Sequence, residues 1–220
     1  MSITGPKQQI FAHLATIAAA LSHAHRIEML ELLAQGEYSV EDLAQRLDVP
    51  LANASRHLQV LRRARLAAPR RAGKRMLYRL VSESEIVTLL TALGRVGERN
   101  IAEIQLVMQH YFRARDELEP VSRTDLLERL RAGSVTLLDV RPAVEFVQGH
   151  LPGALNIPLD HLNQALDQFE ADQQVVAYCR GPYCVLSFQA IEWLRAHGIR
   201  AVRLEDGFPE WKAAGLPIEA

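Results

Sequence analysis

The chain has 220 residues, a formal net charge of −1 at pH 7 and 49% apolar residues. This length fits one large domain or two small ones, and the apolar content suffices for ordinary globular cores. No run approaches the roughly 18 uninterrupted apolar residues of a membrane span, and the first residues lack the pattern of a signal peptide. We therefore expect a cytoplasmic protein with no membrane partner.

Charge is distributed unevenly along the chain. Residues 1–115 carry 16 Lys+Arg and 10 Asp+Glu, a net charge of +6, whereas residues 116–220 carry 9 and 16, a net charge of −7. A basic half joined to an acidic half indicates two domains, the first of them facing nucleic acid. We place the first domain at 1–115, a charged linker containing Pro120 at 116–121, and the second domain at 122–220.

Helices dominate the beginning of the chain. Residues 7–35 have apolar side chains at helical spacing, and Gly36 is a plausible helix end. Ser39 and Asp42 form a capping-box-like start of a short helix. After a tight turn, the segment LANASRHLQVLRRARL predicts another amphipathic helix.

A hairpin and a long helix follow. The segment AAPRRAGKRMLYRLV alternates in polarity and carries a turn at Ala72-Gly73, which predicts a β-hairpin. Ser82 and Glu85 form a capping box for a helix over about 84–114. Its apolar face is larger than a small core requires, so we expect it to form part of a dimer interface.

Two short helices followed by a basic hairpin form the winged helix-turn-helix pattern. The second helix of such a pair carries the side chains that read base edges, and the hairpin contacts phosphates or the minor groove. The predicted DNA-binding residues on the helix are Asn53, Ser55, Arg56, His57, Gln59 and Arg62, and those on the hairpin are Arg70, Arg71, Lys74 and Arg75.

The same segment resembles the ArsR/SmtB family of bacterial repressors. Ser55, His57, Leu58 and the Tyr78-Arg79-Leu80 ending stand where that family has them, and the likeness covers about residues 10–112. The resemblance implies a homodimer, formed through the first and last helices of this domain, that binds double-stranded operator DNA.

Metal sensing, common in that family, is not expected here. The short helix at 37–43 has no cysteine, and Glu98, Glu103 and His110 of the last helix do not have the family's ligand spacing. We therefore assign no metal ligand and no cofactor.

The second half has a different pattern. Short apolar runs such as SVTLLDV and QQVVAYC alternate with helical segments, which predicts a parallel sheet covered by helices. The segments LLDVRPAVEFVQGHLPGALNIPL and EDGFPEWKAAGLPIE resemble a single rhodanese domain. The expected fold is thus two domains, a mainly α winged helix-turn-helix with a β-hairpin wing and an α/β rhodanese-like parallel sheet.

Both cysteines of the chain lie in one short loop of the second half, CRGPYC. Cys179 stands where rhodanese domains place their active thiol, between a strand and a helix. Inward backbone N–H groups and a helix N-terminus stabilise a thiolate there. We expect Cys179 to accept sulfur, Arg180, Gly181 and Tyr183 to form the loop cradle, and Asp139 and Arg141 to support it.

Cys184 leaves two interpretations open. As a reactive thiol it can attack a persulfide on Cys179 and release sulfide, or close with Cys179 on a bridging sulfur; otherwise it serves as a small buried apolar residue. Three functions follow from the joined domains. The first is a regulator, expected to be a repressor, that senses a sulfane-sulfur donor through Cys179. The second is a sulfurtransferase tethered to a DNA-binding dimer, and the third is an arsenite or soft-metal sensor that uses Cys179 and Cys184.

Overall fold

The computed structural model describes residues 5–113, 120–169 and 173–220. The chain divides into two compact units, Met1–Ile86 and Val87–Ala220. Residues 116–119 of the predicted linker lie outside the described residues, so the domain boundary at 116–121 stays a prediction. No described helix offers the uninterrupted apolar length that a bilayer crossing requires.

The first unit is a group of helices followed by a hairpin. Its elements are α1 (Pro6–Leu21), α2 (Ala24–Gln35), α3 (Val40–Arg46), α4 (Leu51–Arg63), β1 (Ala67–Ala72) and β2 (Arg75–Leu80). Its core contains the fully buried Met29, Leu30, Leu43 and Leu61. β1 and β2 pair antiparallel from Ala67–Leu80 to Ala72–Arg75, and Gly73 turns the chain at φ +60°.

The predicted helical segment at 7–35 is two helices. The break at Ser22 and His23 satisfies polar groups on both sides: Ser22 Oγ donates to the Ala19 carbonyl at 2.7 Å, and His23 caps α2 through its ring. Arg26 reaches back and donates from Nε to the Ala20 carbonyl at 2.6 Å. At α3 the predicted capping box is present, with Ser39 and Asp42 exchanging backbone and side-chain hydrogen bonds.

α5 (Glu83–Asn100) begins in the first unit and continues from Val87 in the second. The predicted single helix over about 84–114 is wrong beyond Asn100. Ile101 is extended, and the chain continues as α6 (Ala102–Val107) and a π-helix, Met108–Arg113. Weak helix formers near the end of α5 explain the break: Asn100 donates its side-chain amide to the Val96 carbonyl at 2.8 Å, and Gly97 leaves room for Ile104.

The rest of the second unit is a parallel sheet with helices on both faces. Its strands are β3 (Val135–Asp139), β4 (Leu155–Asn156), β5 (Gln174–Tyr178) and β6 (Ala201–Arg203), in the order β4-β3-β5-β6. Its helices are α7 (Arg123–Arg131), α8 (Ala143–Phe146), α9 (Val185–Ala196) and α10 (Phe208–Ala213), with short 3-10 helices at Leu159–Gln164 and Leu166–Gln168.

Side chains of β5 alternate between two cores. Val175, Ala177 and then Cys179 pack in the core that contains α9 residues, whereas Val176 and Tyr178 pack with Trp211 of α10. This alternation is what a strand buried on both faces requires. The helices, hairpin and parallel sheet confirm the predicted fold class of both halves.

Candidate DNA-binding surface and thiol site

α4 separates a buried face from an exposed one. Ala54, Leu58 and Leu61 are buried in the first unit. Four of the predicted DNA-binding residues are exposed and recur every three positions: Asn53, Arg56, Gln59 and Arg62. Side chains at this spacing lie along one side of a helix, so the structure brings these four together in one row.

His57 lies apart from that row, beside two histidines that sequence reasoning missed. Its ring centroid is 4.3 Å from that of His23 and 5.7 Å from that of His25. Burial, followed by the charges of His23 and Arg26, lowers the pKa of His57 below its ordinary value. The ligand nitrogens of the three rings lie within 4.8 Å of one another. Ser55 is half-buried.

The hairpin presents exposed cations, one of which is paired. Arg71, Lys74 and Arg75 are exposed near the turn. Arg70 donates from Nε to both carboxylate oxygens of Glu37, at 2.8 and 2.7 Å. Glu37 was not among the predicted site residues, because nothing in the local sequence links it to a hairpin 33 residues away.

The two cysteines are joined. Cys179 directly follows β5, Cys184 is the N-cap of α9, and their sulfur atoms form a disulfide with a Cα–Cα distance of 6.1 Å. Both residues are buried, with 2% and 7% of their surfaces exposed. A separation of this size lets two thiols bond without backbone movement.

Backbone contacts hold the loop between the cysteines. The Cys184 N–H donates to the Gly181 carbonyl at 3.1 Å, and the Phe208 N–H donates to the Cys179 carbonyl at 3.0 Å. A Cβ added at Gly207 would collide with the backbone of Arg180 and Gly181. The segment before α10 thus lies directly against the loop, at a position that glycine makes possible.

Asp139 and Arg141 form a buried ion pair next to the strand that carries Cys179. Arg141 donates from Nη2 to Asp139 Oδ2 at 2.6 Å and to the Gly149 carbonyl at 2.8 Å. Asp139 is paired in register with Tyr178, the residue before Cys179. Burial raises the pKa of Tyr178 above its ordinary value, and its hydroxyl oxygen accepts a hydrogen bond from the Leu151 N–H at 3.1 Å.

Arg180 is held by a carboxylate that sequence reasoning did not assign to the site. Its Nε donates to Glu145 Oε2 at 2.9 Å and its Nη2 to Oε1 at 2.7 Å, and Glu145 is fully buried. A bidentate pair fixes the guanidinium plane as well as its charge. Arg180 therefore braces the loop through Glu145, in addition to any attraction for an anion.

Tyr183 connects the loop to α5. Its hydroxyl donates to Glu98 Oε1 at 2.5 Å, and a Cβ added at Gly94 would lie 2.5 Å from the same hydroxyl. Partial burial, followed by the hydrogen bond to Glu98, raises the pKa of Tyr183 above its ordinary value. The predicted cradle residue Tyr183 thus makes its hydrogen bond to a helix, across 85 residues of sequence.

Comparison with known proteins agrees with both halves of the structure. The chain matches the rhodanese-like domain family over residues 122–214 and a helix-turn-helix domain family over residues 21–70. A sulfurtransferase of Allochromatium vinosum is 36% identical over 39% of this chain and 79% of its own length. A biofilm growth-associated repressor of Agrobacterium fabrum is 38% identical over 40% of this chain and 76% of its own length.

One relative matches both halves at once. An HTH-type transcriptional regulator of Mycobacterium tuberculosis is 37% identical over 97% of this chain and 93% of its own length. The chain therefore belongs to the ArsR-like winged helix-turn-helix transcriptional regulators that carry a rhodanese domain.

Proposed function

We propose that this regulator binds a double-stranded DNA operator as a homodimer and senses reactive sulfur through Cys179, with Cys184 as the resolving thiol. The observation that carries the proposal is the bonded pair Cys179–Cys184 in a loop whose Tyr183 is hydrogen-bonded to α5. Residues 1–115 contain no cysteine. A thiol signal must therefore arise in the second domain and be transmitted to the first.

Operator binding is supported by the exposed row on α4 and the cations of the hairpin. Asn and Gln side chains can pair with adenine and Arg with guanine in the major groove. Lys74 and Arg75 near the hairpin turn are suited to phosphate contact. The likeness to a repressor of Agrobacterium fabrum favours repression as the mode of regulation.

Dimer formation is supported by apolar side chains that the chain leaves exposed. Ile10, Phe11 and Leu14 of α1 each have more than half of their surface exposed, and Ala20 is the buried residue of that helix. Leu89, Leu93 and Val96 of α5 are also exposed. Apolar faces of this kind are typical of protein–protein interfaces.

The first chemical step is sulfur transfer to Cys179. The thiolate attacks the outer sulfur of a persulfide donor, RSSH, so that Cys179–S⁻ and RSSH give Cys179–S–SH and RS⁻. The sulfur–sulfur bond of the donor breaks, and a new one forms on the protein. The loop lies at the N-terminus of α9, whose partial positive charge favours the thiolate.

The second step resolves the persulfide. The Cys184 thiol attacks the inner sulfur of Cys179–S–SH, forming the Cys179–S–S–Cys184 disulfide and releasing H₂S. The donor sulfur is thereby reduced to sulfide, and the two thiols are oxidised. The 6.1 Å separation of the Cα atoms supports this step, because the loop already brings the sulfur atoms within bonding distance.

Transmission to the DNA-binding unit uses α5. Forming or breaking the disulfide changes the conformations open to the loop, and the loop touches α5 through Tyr183 at Glu98 and Gly94. Because α5 is one helix shared by both units, a change in its position alters the DNA-binding half. Couplings of this type change affinity by about 5- to 150-fold.

The test combines mass spectrometry with DNA binding on the same samples. The DNA probe is a fragment selected from a random-sequence library by the reduced protein, and the sulfur donor is sodium polysulfide. We expect wild type to lose two hydrogen atoms and change its DNA affinity, and Cys184→Ser to gain one sulfur atom. Cys179→Ser should bind DNA as the reduced wild type does and not respond.

Two results would contradict the proposal. A Cys179→Ser protein whose DNA affinity still changes with polysulfide would exclude Cys179 as the sensor. A wild-type protein that forms the disulfide without any change in DNA affinity would exclude the coupling between the two domains.

A second candidate is an enzyme, favoured by the likeness to a sulfurtransferase over the rhodanese domain. A sensor reacts once and stays modified, whereas an enzyme transfers sulfur from thiosulfate to cyanide many times. The enzyme would be favoured if wild type turns over repeatedly, Cys179→Ser does not, and the DNA affinity of wild type does not change during turnover.

A further inference from the structure

His23, His25 and His57 form a cluster of imidazoles, the histidine cluster, in the first unit. His23 is the N-cap of α2, His25 lies in its first turn, and His57 lies in the middle of α4. Their ligand nitrogens all lie within 4.8 Å of one another. None of these three histidines is among the residues to which the sulfur chemistry above was assigned.

We infer that the histidine cluster binds a divalent first-row transition-metal ion such as Zn²⁺, linking the start of α2 to the DNA-reading helix α4. Imidazole nitrogens are preferred ligands of these ions. Ligand nitrogens on one zinc ion lie at most about 4.2 Å apart, because each Zn–N bond is about 2.1 Å. Small ring rotations of the exposed His23 and the half-buried His25 would bring the three nitrogens together.

The positive charges of two neighbouring arginines, Arg26 and Arg56, oppose the binding of a cation at the histidine cluster. Arg26 is directed to the end of α1, where its Nε and Nη2 donate to the carbonyls of Ala20 and Ala19 at 2.6 and 3.1 Å. These carbonyls carry the partial negative charge of a helix C-terminus. Arg56 is exposed on α4, and its charge is the last-named and smallest of the causes that lower the pKa of His57.

Metal binding competes with one existing hydrogen bond. His23 Nδ1 accepts from the His25 N–H at 3.2 Å. An ion bound at Nε2 of His23 requires the ring proton at Nδ1, and this cap hydrogen bond is then lost. The 3.2 Å bond is a long one, and three imidazole–metal bonds outweigh it.

This site differs from the positions that the sequence excluded. Those positions were the cysteine-free segment 37–43 and the last helix with Glu98, Glu103 and His110. The three histidines were not grouped in the sequence because His57 is more than 30 residues from His23 and His25. Only the packing of α2 on α4 brings them together.

The test titrates Co²⁺ and then Zn²⁺ into the full-length, tag-free protein carrying Cys179→Ser and Cys184→Ser, which removes thiolate ligands. We expect one Co²⁺ per chain with visible ligand-field absorption, and displacement by Zn²⁺. His23→Asn keeps a good N-cap and removes an imidazole, and His25→Gln removes another. Each should weaken Co²⁺ binding by about tenfold or more, since even outer-shell partners contribute about 10- to 100-fold.

His13→Gln is the matched control, because it removes an exposed histidine from α1 of the same unit. We expect its Co²⁺ binding to equal that of the parent. A rise in melting temperature with Zn²⁺ should accompany binding in the parent and in His13→Gln and be absent in His25→Gln. Absence of Co²⁺ binding, or equal binding in His25→Gln and the parent, would overturn the inference.

Discussion

Gly207, directly before α10, lies against the backbone of the cysteine loop. Two hydrogen bonds fix the backbone at this point. The Gly207 N–H donates to the Glu210 side chain at 3.0 Å, and the N–H of the next residue, Phe208, donates to the Cys179 carbonyl. No side chain fits between Gly207 and the backbone of Arg180 and Gly181. The size of this one residue therefore sets the position of the loop.

Gly207→Ala should destabilise the second unit and slow the reaction of Cys179 with polysulfide. The added methyl must displace backbone atoms, and overpacking of this kind costs about 1–3 kcal/mol. Urea unfolding and intact-mass kinetics would measure the two effects. Gly5→Ala is the control, since no atom lies within 4 Å of a Cβ there. Equal effects of the two variants would contradict the role assigned to Gly207.

Tyr183→Phe should separate sensing from response. The variant keeps the ring on Gly94 but loses the hydrogen bond to Glu98, a contact of about 1 kcal/mol at a partly exposed site. We expect disulfide formation to continue and the change in DNA affinity to decrease. Glu98→Gln alters the partner of this hydrogen bond and completes a double-mutant cycle. If the two substitutions have fully additive effects on the change in DNA affinity, the hydrogen bond does not transmit the signal.

Residues of the thiol site were predictable where a local motif marks them. Cys179, Asp139 and Arg141 were assigned through the resemblance of the segments around them to rhodanese domains, and their roles stay predictions. The hydrogen-bond partners Glu145 and Glu98 were not predicted. Glu145 lies 35 residues from Arg180, and Glu98 lies 85 residues from Tyr183. Such pairs depend on tertiary packing, which periodicity and motif spacing do not encode.

At the scale of elements, most helices and strands follow from periodicity and caps. α3 begins at the predicted capping box, and β5 ends at Tyr178, directly before Cys179. The length of the helix predicted over about 84–114 was overestimated. Its apolar spacing continues through Ile101, but Gly97 and Asn100 have low helix propensity and α5 ends at Asn100. Apolar periodicity reports which side is buried, but local propensity decides where a helix ends.

The hairpin offers a prediction about DNA affinity. Lys74→Ala and Arg75→Ala should each weaken binding to all sequences alike. Each should reduce the slope of log K against log salt by about 2, because a homodimer loses one phosphate contact in each protomer. Arg131→Ala, an exposed cation on α7, is the control. Filter binding or fluorescence anisotropy at several salt concentrations gives the slopes, and an unchanged slope in both hairpin variants would exclude phosphate contact there.

For the whole molecule, the exposed apolar faces of α1 and α5 determine the expected assembly. Leu93→Glu and Leu14→Glu should each convert a dimer to a monomer, because an interface tolerates no unpaired buried charge, and should reduce operator affinity. Sedimentation velocity measures the mass. Val147→Glu alters another exposed apolar residue, on the second unit, and should leave the mass unchanged. A dimer in both Leu variants would place the interface elsewhere.

The near-complete burial of Cys179 and Cys184 limits which reagents can act on them. A tripeptide persulfide such as that of glutathione must open the loop before its sulfur can reach the thiol, whereas hydrogen persulfide has no bulky group to exclude. The loop then acts as a size filter, and the rate of modification should be greater for the inorganic donor at equal concentration. Stopped-flow rates with the two donors would measure the ratio, and a ratio near one would show that the loop admits both. Through such a filter, the regulator responds to inorganic sulfur donors in preference to bulky organic persulfides.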